Sequence, residues 1–133
     1  MKYLLDTNIC IYIAKEHPPH LLKHFQSLSV GSTGMSAVTY GELQYGLQKS
    51  RLKKNNSKIF EKLADYIPVL PLTKSCGYWH GKIRSELEKQ GKVIGNNDLW
   101  IAAHALSEKL ILITNNTREF FRIPSLRVEN WAQ

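Results

Sequence analysis

Short apolar runs alternate with longer stretches of helical periodicity along this chain. The apolar runs predict five short strands, at residues 2–5, 35–38, 69–70 and 111–114 and within 126–131. Helices are predicted between them, after Thr7 or Asn8, around residues 21–25, from Thr39 onward, and over 59–67, 78–90 and 98–110. Strands that alternate with helices favour an α/β fold with a mainly parallel sheet.

Two further segments, one flanked by prolines and one polar and basic, refine the predicted order of strands and helices. Pro68 and Pro71 bracket the third strand, which predicts an edge position in the sheet. Residues 49–58 are polar and basic, and they predict a loop or helix junction rather than a domain linker. A chain of 133 residues without repeats is expected to form a single domain over residues 1–133.

Acidic residues stand at the edges of three apolar segments. Asp6 ends the first predicted strand, Glu42 follows the second, and Asp98 opens the helix over 98–110. A carboxylate beside buried surface is costly unless something satisfies it, and several carboxylates on one face would attract a divalent cation. Mg²⁺ and Mn²⁺ prefer such oxygen ligands. Asn116 and Glu119, after the fourth strand, are further candidate oxygen donors.

Each of these residues also has a purely structural interpretation. Asp6 could cap the following helix, and Glu42 could pair with Thr39 in a capping box. Asp98 could be a favourable charge at a helix N-terminus, where a carboxylate interacts well with the helix dipole. Asn116 could be a turn residue and Glu119 a solvated surface charge. The histidines lack close metal-ligand spacing, and those at 17, 20 and 24 are expected at the surface.

The charge balance adds a possible polyanionic partner. Lys and Arg number 18 against 11 Asp and Glu, a formal net charge of +7, which fits nucleic acid or an acidic protein. Candidate phosphate-binding residues, each equally explicable as a solvated charge, are Lys49, Arg51, Lys53, Lys54, Lys82, Arg84, Lys92 and Arg118. Cys10 and Cys76 are expected to be inert core thiols. The early charge at Asp6 argues against a signal peptide or membrane span, so a reducing cytoplasm is the expected compartment.

Four segments of the chain resemble, in order, the motifs of PIN-domain ribonucleases. They are Leu4–Asn8, Ser36–Leu43, Ile94–Ala105 and Thr114–Phe120. The closing residues Arg122–Pro124 and Val128–Trp131 resemble the tail of one subgroup, the VapC toxins of bacterial toxin–antitoxin pairs. The resemblance spans nearly the whole chain.

The resemblance implies a PIN-like three-layer α/β/α sandwich with sheet order 3-2-1-4-5. It also implies an endonuclease dependent on Mg²⁺ or Mn²⁺ that cuts structured RNA such as tRNA or rRNA. Asp6 and Asp98 carry over as metal ligands and Glu42 as the third acid, whereas Asn116 stands where many relatives have Asp and Glu119 is the residue that could compensate. A homodimer, a VapB antitoxin whose tail covers the acidic pocket, and a higher toxin–antitoxin complex are the implied assemblies.

Three functional hypotheses follow. The first is hydrolysis of an RNA phosphodiester bond by metal-activated water, with a consequent block of translation. The second is a non-catalytic module that binds RNA or protein, in which the acids are only helix caps. The third is a nuclease that acts on DNA. Binding of Mn²⁺ separates the first from the second, and parallel cleavage of RNA and DNA separates the first from the third.

Overall fold

The sheet at the centre of the fold is parallel and has five strands. The computed structural model describes residues 1–133. Strand order is β3-β2-β1-β4-β5, which confirms the expected 3-2-1-4-5 order and the edge position of the third strand. The bounds are β1 Tyr3–Leu5, β2 Thr33–Ser36, β3 Val69–Leu70, β4 Ile111–Ile113 and β5 Val128–Glu129.

Seven helices cover the two faces of this sheet. Their bounds are α1 Thr7–Ala14, α2 Pro19–Gln26, α3 Ala37–Lys49, α4 Lys53–Tyr66, α5 Lys74–Lys89, α6 Asn96–Glu108 and α7 Thr117–Phe120. Because every strand pairing is parallel, each connection must cross over a face, and the helices supply those crossings. The predicted α/β class is therefore confirmed.

Alternation along the central strands divides the core into two clusters. Leu4 and Leu112 are paired neighbours that point to one face, where they pack with residues of α5, α6 and α7. Leu5 and Ile113 point to the other face, where they pack with residues of α1 to α4. Successive side chains of a strand face opposite sides, so β1 and β4 have apolar residues at every position. This is the three-layer arrangement that the resemblance implied.

The second strand and the helix after it start earlier than predicted. β2 ends at Ser36, and the Oγ atom of Ser36 accepts a hydrogen bond from the backbone N–H of Val38, 3.2 Å away, which caps α3. The predicted strand at 35–38 was therefore wrong for residues 37 and 38. The expected helix start at Thr39 was wrong for the same reason, because the apolar Ala37 and Val38 belong to the first turn of α3.

The basic segment at 49–58 is largely helical. α3 ends at Lys49 and α4 begins at Lys53, so the segment contains the predicted helix junction and its loop is limited to residues 50–52. The first turns of α4 are exposed and carry no apolar stripe, because the fully buried residue of this helix, Leu63, lies near its other end. Hydrophobic periodicity therefore could not detect this start. α5 likewise begins at Lys74, four residues before the predicted start at Tyr78.

The other structural expectations concern cysteines, histidines and membrane spans. Cys10 and Cys76 are buried free thiols, as predicted. The side chains at 17, 20 and 24 are exposed, which confirms the surface prediction for these histidines. None of the helices has both the length and the apolar character needed to cross a membrane.

Candidate active site

The candidate site lies where β1 and β4 end side by side. Asp6 follows β1 and Thr114 follows β4, and the two strands pair through Leu5 and Ile113. In open parallel sheets, sites form outside the carboxyl ends of the strands, at the point where strand order reverses. Here β2 and β3 lie on one side of β1, and β4 and β5 lie on its other side, so strand order reverses between β1 and β4. The carboxyl ends of β1 and β4 are therefore the expected place for a site.

Asp6 is held by hydrogen bonds to both of its carboxylate oxygens. Its Oδ1 accepts from the backbone N–H of Ile9 at 3.1 Å, which makes Asp6 the N-cap of α1. Its Oδ2 accepts from the hydroxyl of Thr114. Asp6 is only 7% exposed, and this burial is the main cause that raises its pKa, against hydrogen bonds from Thr114 and from the Ile9 and Asn8 backbone that lower it. The cap interpretation of Asp6 is therefore confirmed, and α1 begins at Thr7, directly after this cap, with Asn8 inside the helix.

Glu42 reaches the same edge from α3. Its Oε1 accepts a hydrogen bond of 2.7 Å from the hydroxyl of Thr7, at the start of α1. Because α3 begins at Ala37, Glu42 lies in its second turn and not in the first. The capping-box interpretation with Thr39 is wrong, since Ser36 is the cap and the buried Oγ1 of Thr39 has no hydrogen-bond partner.

Asp98 and Glu119 complete the acidic group. Asp98 lies in the first turn of α6, as predicted. Glu119 lies in α7, where its Oε2 accepts a hydrogen bond of 3.2 Å from the side-chain amide of Asn116. The backbone N–H of Asn116 in turn donates to the Thr114 hydroxyl oxygen at 2.9 Å. Asn116 thus positions Glu119 and links it to the residue that holds Asp6.

The four carboxylates, Asp6, Glu42, Asp98 and Glu119, are called the acid cluster below. Burial raises the pKa of Asp98 to about 6, and repulsion from Glu119, Glu42 and Asp6 adds to this increase. Repulsion from Glu42 also contributes to the raised pKa of Asp6. Side chains that are 21 or more positions apart in sequence therefore share one electrostatic environment. Folding has brought like charges together, which costs free energy unless a cation offsets it.

The donor set of the acid cluster suits a hard divalent cation. All four groups offer carboxylate oxygens, and the repulsion that raises the pKa of Asp98 is what a bound cation would relieve. As the side chains stand, no three His, Cys, Asp or Glu residues close into a metal-binding geometry. Mg²⁺ keeps several of its waters and takes only one or two direct carboxylates, so the residues fit such an ion.

A buried hydrogen bond joins the helices that carry two of the acids. The Oγ of Ser36, at the start of α3, lies 2.8 Å from Nδ1 of His104 in α6. Both residues are fully buried, and burial lowers the pKa of His104. The contact therefore fixes α3, which carries Glu42, against α6, which carries Asp98.

The predicted phosphate-binding residues fall into three groups. Lys49, Arg51, Lys53 and Lys54 lie around the α3–α4 junction, and Lys49 is two helical turns, roughly 10 Å, beyond Glu42. Lys82 and Arg84 lie on α5, where Lys82 sits over the Trp79 ring and Arg84 pairs with Glu88 at 2.9 Å. Lys92 and Arg118 line one cavity beside α7.

Sequence reasoning missed the residues that position the acids. Thr7, Thr114, Ser36 and His104 act through hydrogen bonds to partners far away in sequence. For Thr114, the available signal was its place directly after a buried strand, at the same sheet edge as Asp6. For His104, the only signal was a polar residue within the apolar stretch 101–106 of α6.

The fold agrees with the comparisons to known proteins. A family model described as the PIN domain matches residues 3–126, and the chain belongs to the PIN-domain family. Within that family its relatives are VapC proteins. Ribonuclease VapC2 of Rickettsia felis is 41% identical over 132 residues, which cover 98% of each chain. The tRNA(fMet)-specific endonuclease VapC of Shigella flexneri is 42% identical, with 99% of each chain covered.

Solved structures give the same result. VapBC from Salmonella typhimurium, bound to DNA, contains a chain that superposes with a TM-score of 0.93 at 38% identity, covering 98% of both chains. VapBC2 from Rickettsia felis, bound to a DNA fragment from its promoter, superposes with a TM-score of 0.91 at 39% identity, covering 98% of this chain and 99% of that one. The predicted resemblance to VapC-type PIN domains is therefore confirmed.

Proposed function

We propose that this protein is a metal-dependent endoribonuclease, the toxin of a VapBC-type toxin–antitoxin pair. The observation that carries the proposal is the acid cluster at the switch point of a PIN-type sheet, where burial and then repulsion from the other three carboxylates raise the pKa of Asp98. The clustered acids favour binding of a cation, and the net positive charge of the whole protein favours binding of a phosphate backbone. We infer tRNA as the first substrate, since relatives at 38–42% identity are named tRNA(fMet)-specific endonucleases, and rRNA as the second.

In the proposed reaction, Asp6 and Asp98 would be the direct ligands of Mg²⁺ or Mn²⁺, and Glu42 would be the third acid around the ion. When bound, the ion lowers the pKa of a water molecule and offsets charge on the scissile phosphate. Thr114 and the Ile9 N–H orient the Asp6 carboxylate, and Thr7 orients Glu42. The Asn116 amide donates to Glu119 Oε2 at 3.2 Å, and Glu119 would accept a hydrogen bond from the attacking water.

A cleavage assay on total tRNA in Mg²⁺ tests this proposal. Wild type and Asp65→Asn, which removes an exposed carboxylate of α4, should cut tRNA alike. Asp98→Asn should lose activity by roughly 10²-fold or more, because removing a group that stabilises transition-state charge costs on this scale. Equal cleavage by wild type and Asp98→Asn, or undiminished cleavage in EDTA, would overturn the proposal. Parallel lanes with rRNA and DNA identify the substrate, and sequencing of the new 5′ ends identifies the bond.

The same proposal includes a VapB-type antitoxin and a homodimer in the cytoplasm. A tail that bears Arg or Lys would compete with the cation for the acid cluster and with RNA for access to it. The support is the pairing of VapC with VapB in the similar solved structures. Co-expression with the product of a short upstream reading frame should suppress cleavage and yield a stable complex. No change in cleavage or in sedimentation would count against this pairing.

A further inference from the structure

An open cavity beside α7 gathers three positive side chains around an exposed phenylalanine. It has a volume of about 440 Å³ and is lined by Gly91, Lys92, Arg118, Phe121 and Arg122. These five residues are called the basic pocket below. Only Lys92 and Arg118 were among the predicted phosphate-binding residues. Volumes of this size are typical of sites for small organic groups.

The wall of the pocket that carries Lys92 is built by the end of α5. Gly91 has a φ of +67°, the left-handed conformation that ends many helices. The N–H of Lys92 then donates to the Leu87 carbonyl at 2.9 Å, and the N–H of Gly91 donates to the Glu88 carbonyl at 3.1 Å. This pair of bonds closes the helix and fixes the direction in which the chain leaves it. The backbone of Lys92 is therefore a defined part of the wall.

The opposite wall comes from α7 and the residues after it. Arg122 donates from Nη1 to the Val93 carbonyl at 2.8 Å, which ties this wall to the segment after Lys92. Arg122 is half-buried, and its guanidinium still has other N–H groups available to a ligand. Arg118 is exposed and directly precedes Glu119 of the acid cluster. The pocket and the acid cluster thus share α7.

The three cations of the pocket have no acidic partner. The ion pair of this structure is Arg84 with Glu88, and no carboxylate lies within 4.0 Å of Lys92, Arg118 or Arg122. No acidic residue lines the pocket either. Three like charges around one cavity repel one another, and an anion among them would relieve this repulsion. Phosphate is the anion that Arg and Lys bind most readily in combination.

Phe121 adds an apolar surface to this charged setting. Its side chain is 65% exposed, whereas the adjacent Phe120 is 1% exposed and packs in the core. Phe121 therefore contributes little to folding in this structure. An exposed aromatic ring among cations is the combination by which proteins bind single-stranded nucleic acid, with the base on the ring and the backbone on the charges. A free anion would make no use of the ring.

We propose that the basic pocket binds one unpaired nucleotide of the RNA substrate. Its phosphate lies among Lys92, Arg118 and Arg122, and its base stacks on Phe121. This inference rests on the proposed ribonuclease function and adds a requirement to it. Because Arg118 adjoins Glu119, the held nucleotide lies close to the bond that is cut, so cleavage is directed to loops and ends, where bases are free to stack on protein.

Binding without cleavage tests the pocket separately from the active site. In EDTA, fluorescence anisotropy measures the affinity of each variant for a short labelled single-stranded RNA and for a blunt duplex of the same sequence. Phe121→Leu should weaken single-strand binding about tenfold and leave duplex binding unchanged, because only an unpaired base can stack. Phe121→Trp keeps an aromatic ring at this position and should bind single-stranded RNA like wild type. Tyr66→Leu, at an equally exposed ring near the opposite edge of the sheet, is the matched control and should bind like wild type.

The charges of the pocket need a second pair of variants. Arg118→Gln should weaken binding of both RNAs, since it removes a phosphate contact. Arg127→Gln removes the same charge from an exposed residue directly before β5 that does not line the pocket, and should have little effect. Thermal melting of each variant checks that the fold is intact, as expected for side chains with so much exposure.

Each outcome either supports or overturns the inference. If Phe121→Leu binds single-stranded RNA like wild type while wild type still cleaves tRNA, the pocket inference fails and the ribonuclease proposal stands. If single-strand and duplex binding fall equally, stacking is excluded and the inference fails. If Phe121→Leu loses only its affinity for the antitoxin, the pocket is a protein-docking site instead. If wild type neither binds nor cleaves RNA, the proposed function itself fails.

Discussion

The acid cluster and the basic pocket both include residues of α7, and they hold their charges in opposite ways. The acids are buried or half-buried. Asp6, Glu42 and Glu119 accept side-chain hydrogen bonds from Thr114, Thr7 and Asn116, respectively. In the pocket, Lys92 and Arg118 are exposed, and only Arg122 is tied to the protein, through the Val93 carbonyl. The acid cluster is preorganised at a cost in folding stability, whereas the side chains of the basic pocket are adaptable and reduce folding stability little.

This difference fits the two tasks that the proposals assign. Chemistry on a phosphate requires charges at defined positions in a partly desolvated site, because such charges do not have to reorganise during the reaction. Capture of a flexible RNA requires only charge and a surface for stacking. Substitutions in the acid cluster should therefore change turnover and stability, and substitutions in the pocket should change RNA affinity.

The largest effect is expected for Asp6→Asn. This change keeps an oxygen that can accept from the Ile9 N–H, so α1 stays capped, but it removes the charge nearest to Thr114. Cleavage should fall by roughly 10²-fold or more, and Mn²⁺ binding measured by calorimetry should be lost. Arg118→Gln should bind Mn²⁺ like wild type. If both variants or neither lose Mn²⁺, the division between the two regions is wrong.

The second effect is a change in how strongly RNA affinity depends on salt concentration. Each phosphate contact releases counterions, so the logarithm of RNA affinity falls linearly with the logarithm of salt concentration. Lys92→Gln and Arg118→Gln should each reduce the magnitude of that slope by about one, whereas Asp98→Asn should not reduce it. Anisotropy titrations at several salt concentrations measure the slopes. Unchanged slopes in the two pocket variants would remove these residues from the RNA interface.

The third effect is a gain in folding stability when the charge of Asp98 is removed. The pKa of Asp98 is about 6 in the folded protein against an ordinary 3.8, so the folded state binds more protons than the unfolded state in this interval. Stability of the metal-free protein should therefore fall as pH rises from about 4 to about 6, and remain lower above that range.

Asp98→Asn should remove the part of this pH dependence that comes from Asp98, and the raised pKa of Asp6 should keep a remainder. Because Asp98 is half-exposed, we expect a gain of only about 1 kcal/mol at pH 7.5 in EDTA, or about 3 °C in Tm. Asp65→Asn, at an exposed position of α4, should leave both the Tm and its pH dependence unchanged. A lower Tm for Asp98→Asn would indicate that Asp98 stabilises the fold rather than opposing it.

The smallest effect is expected for Thr7→Val. The hydroxyl of Thr7 orients Glu42 through a bond of 2.7 Å, and valine keeps the shape of the side chain without this donor. The expected loss is about threefold in kcat with KM unchanged, because Thr7 positions Glu42 without contacting the substrate, so only a fraction of the roughly 1.5 kcal/mol that a hydrogen bond to a charged group contributes is lost in the transition state. A change confined to KM would assign Thr7 to substrate binding instead.

Much of the fold could be predicted because the signals were local. The apolar runs around Leu4 and Leu112 mark strands buried on both faces, and the prolines beside β3 mark an edge. The ends of elements were harder to predict. Ser36 rather than Thr39 starts α3, and Lys53 starts α4 in a stretch with no apolar stripe, since exposed helix turns leave no hydrophobic pattern.

The sequence by itself determined which residue types could do chemistry and where the strands would lie, because apolar runs and charged side chains are properties of single segments. Only the tertiary structure decided that Asp6 meets Thr114, that Glu42 meets Thr7, and that Phe121 faces solvent while Phe120 is buried. These facts depend on contacts between segments far apart in the chain. Sequence periodicity reports the burial of a side chain, whereas the partner that a buried polar group finds is set by how the helices cross the sheet.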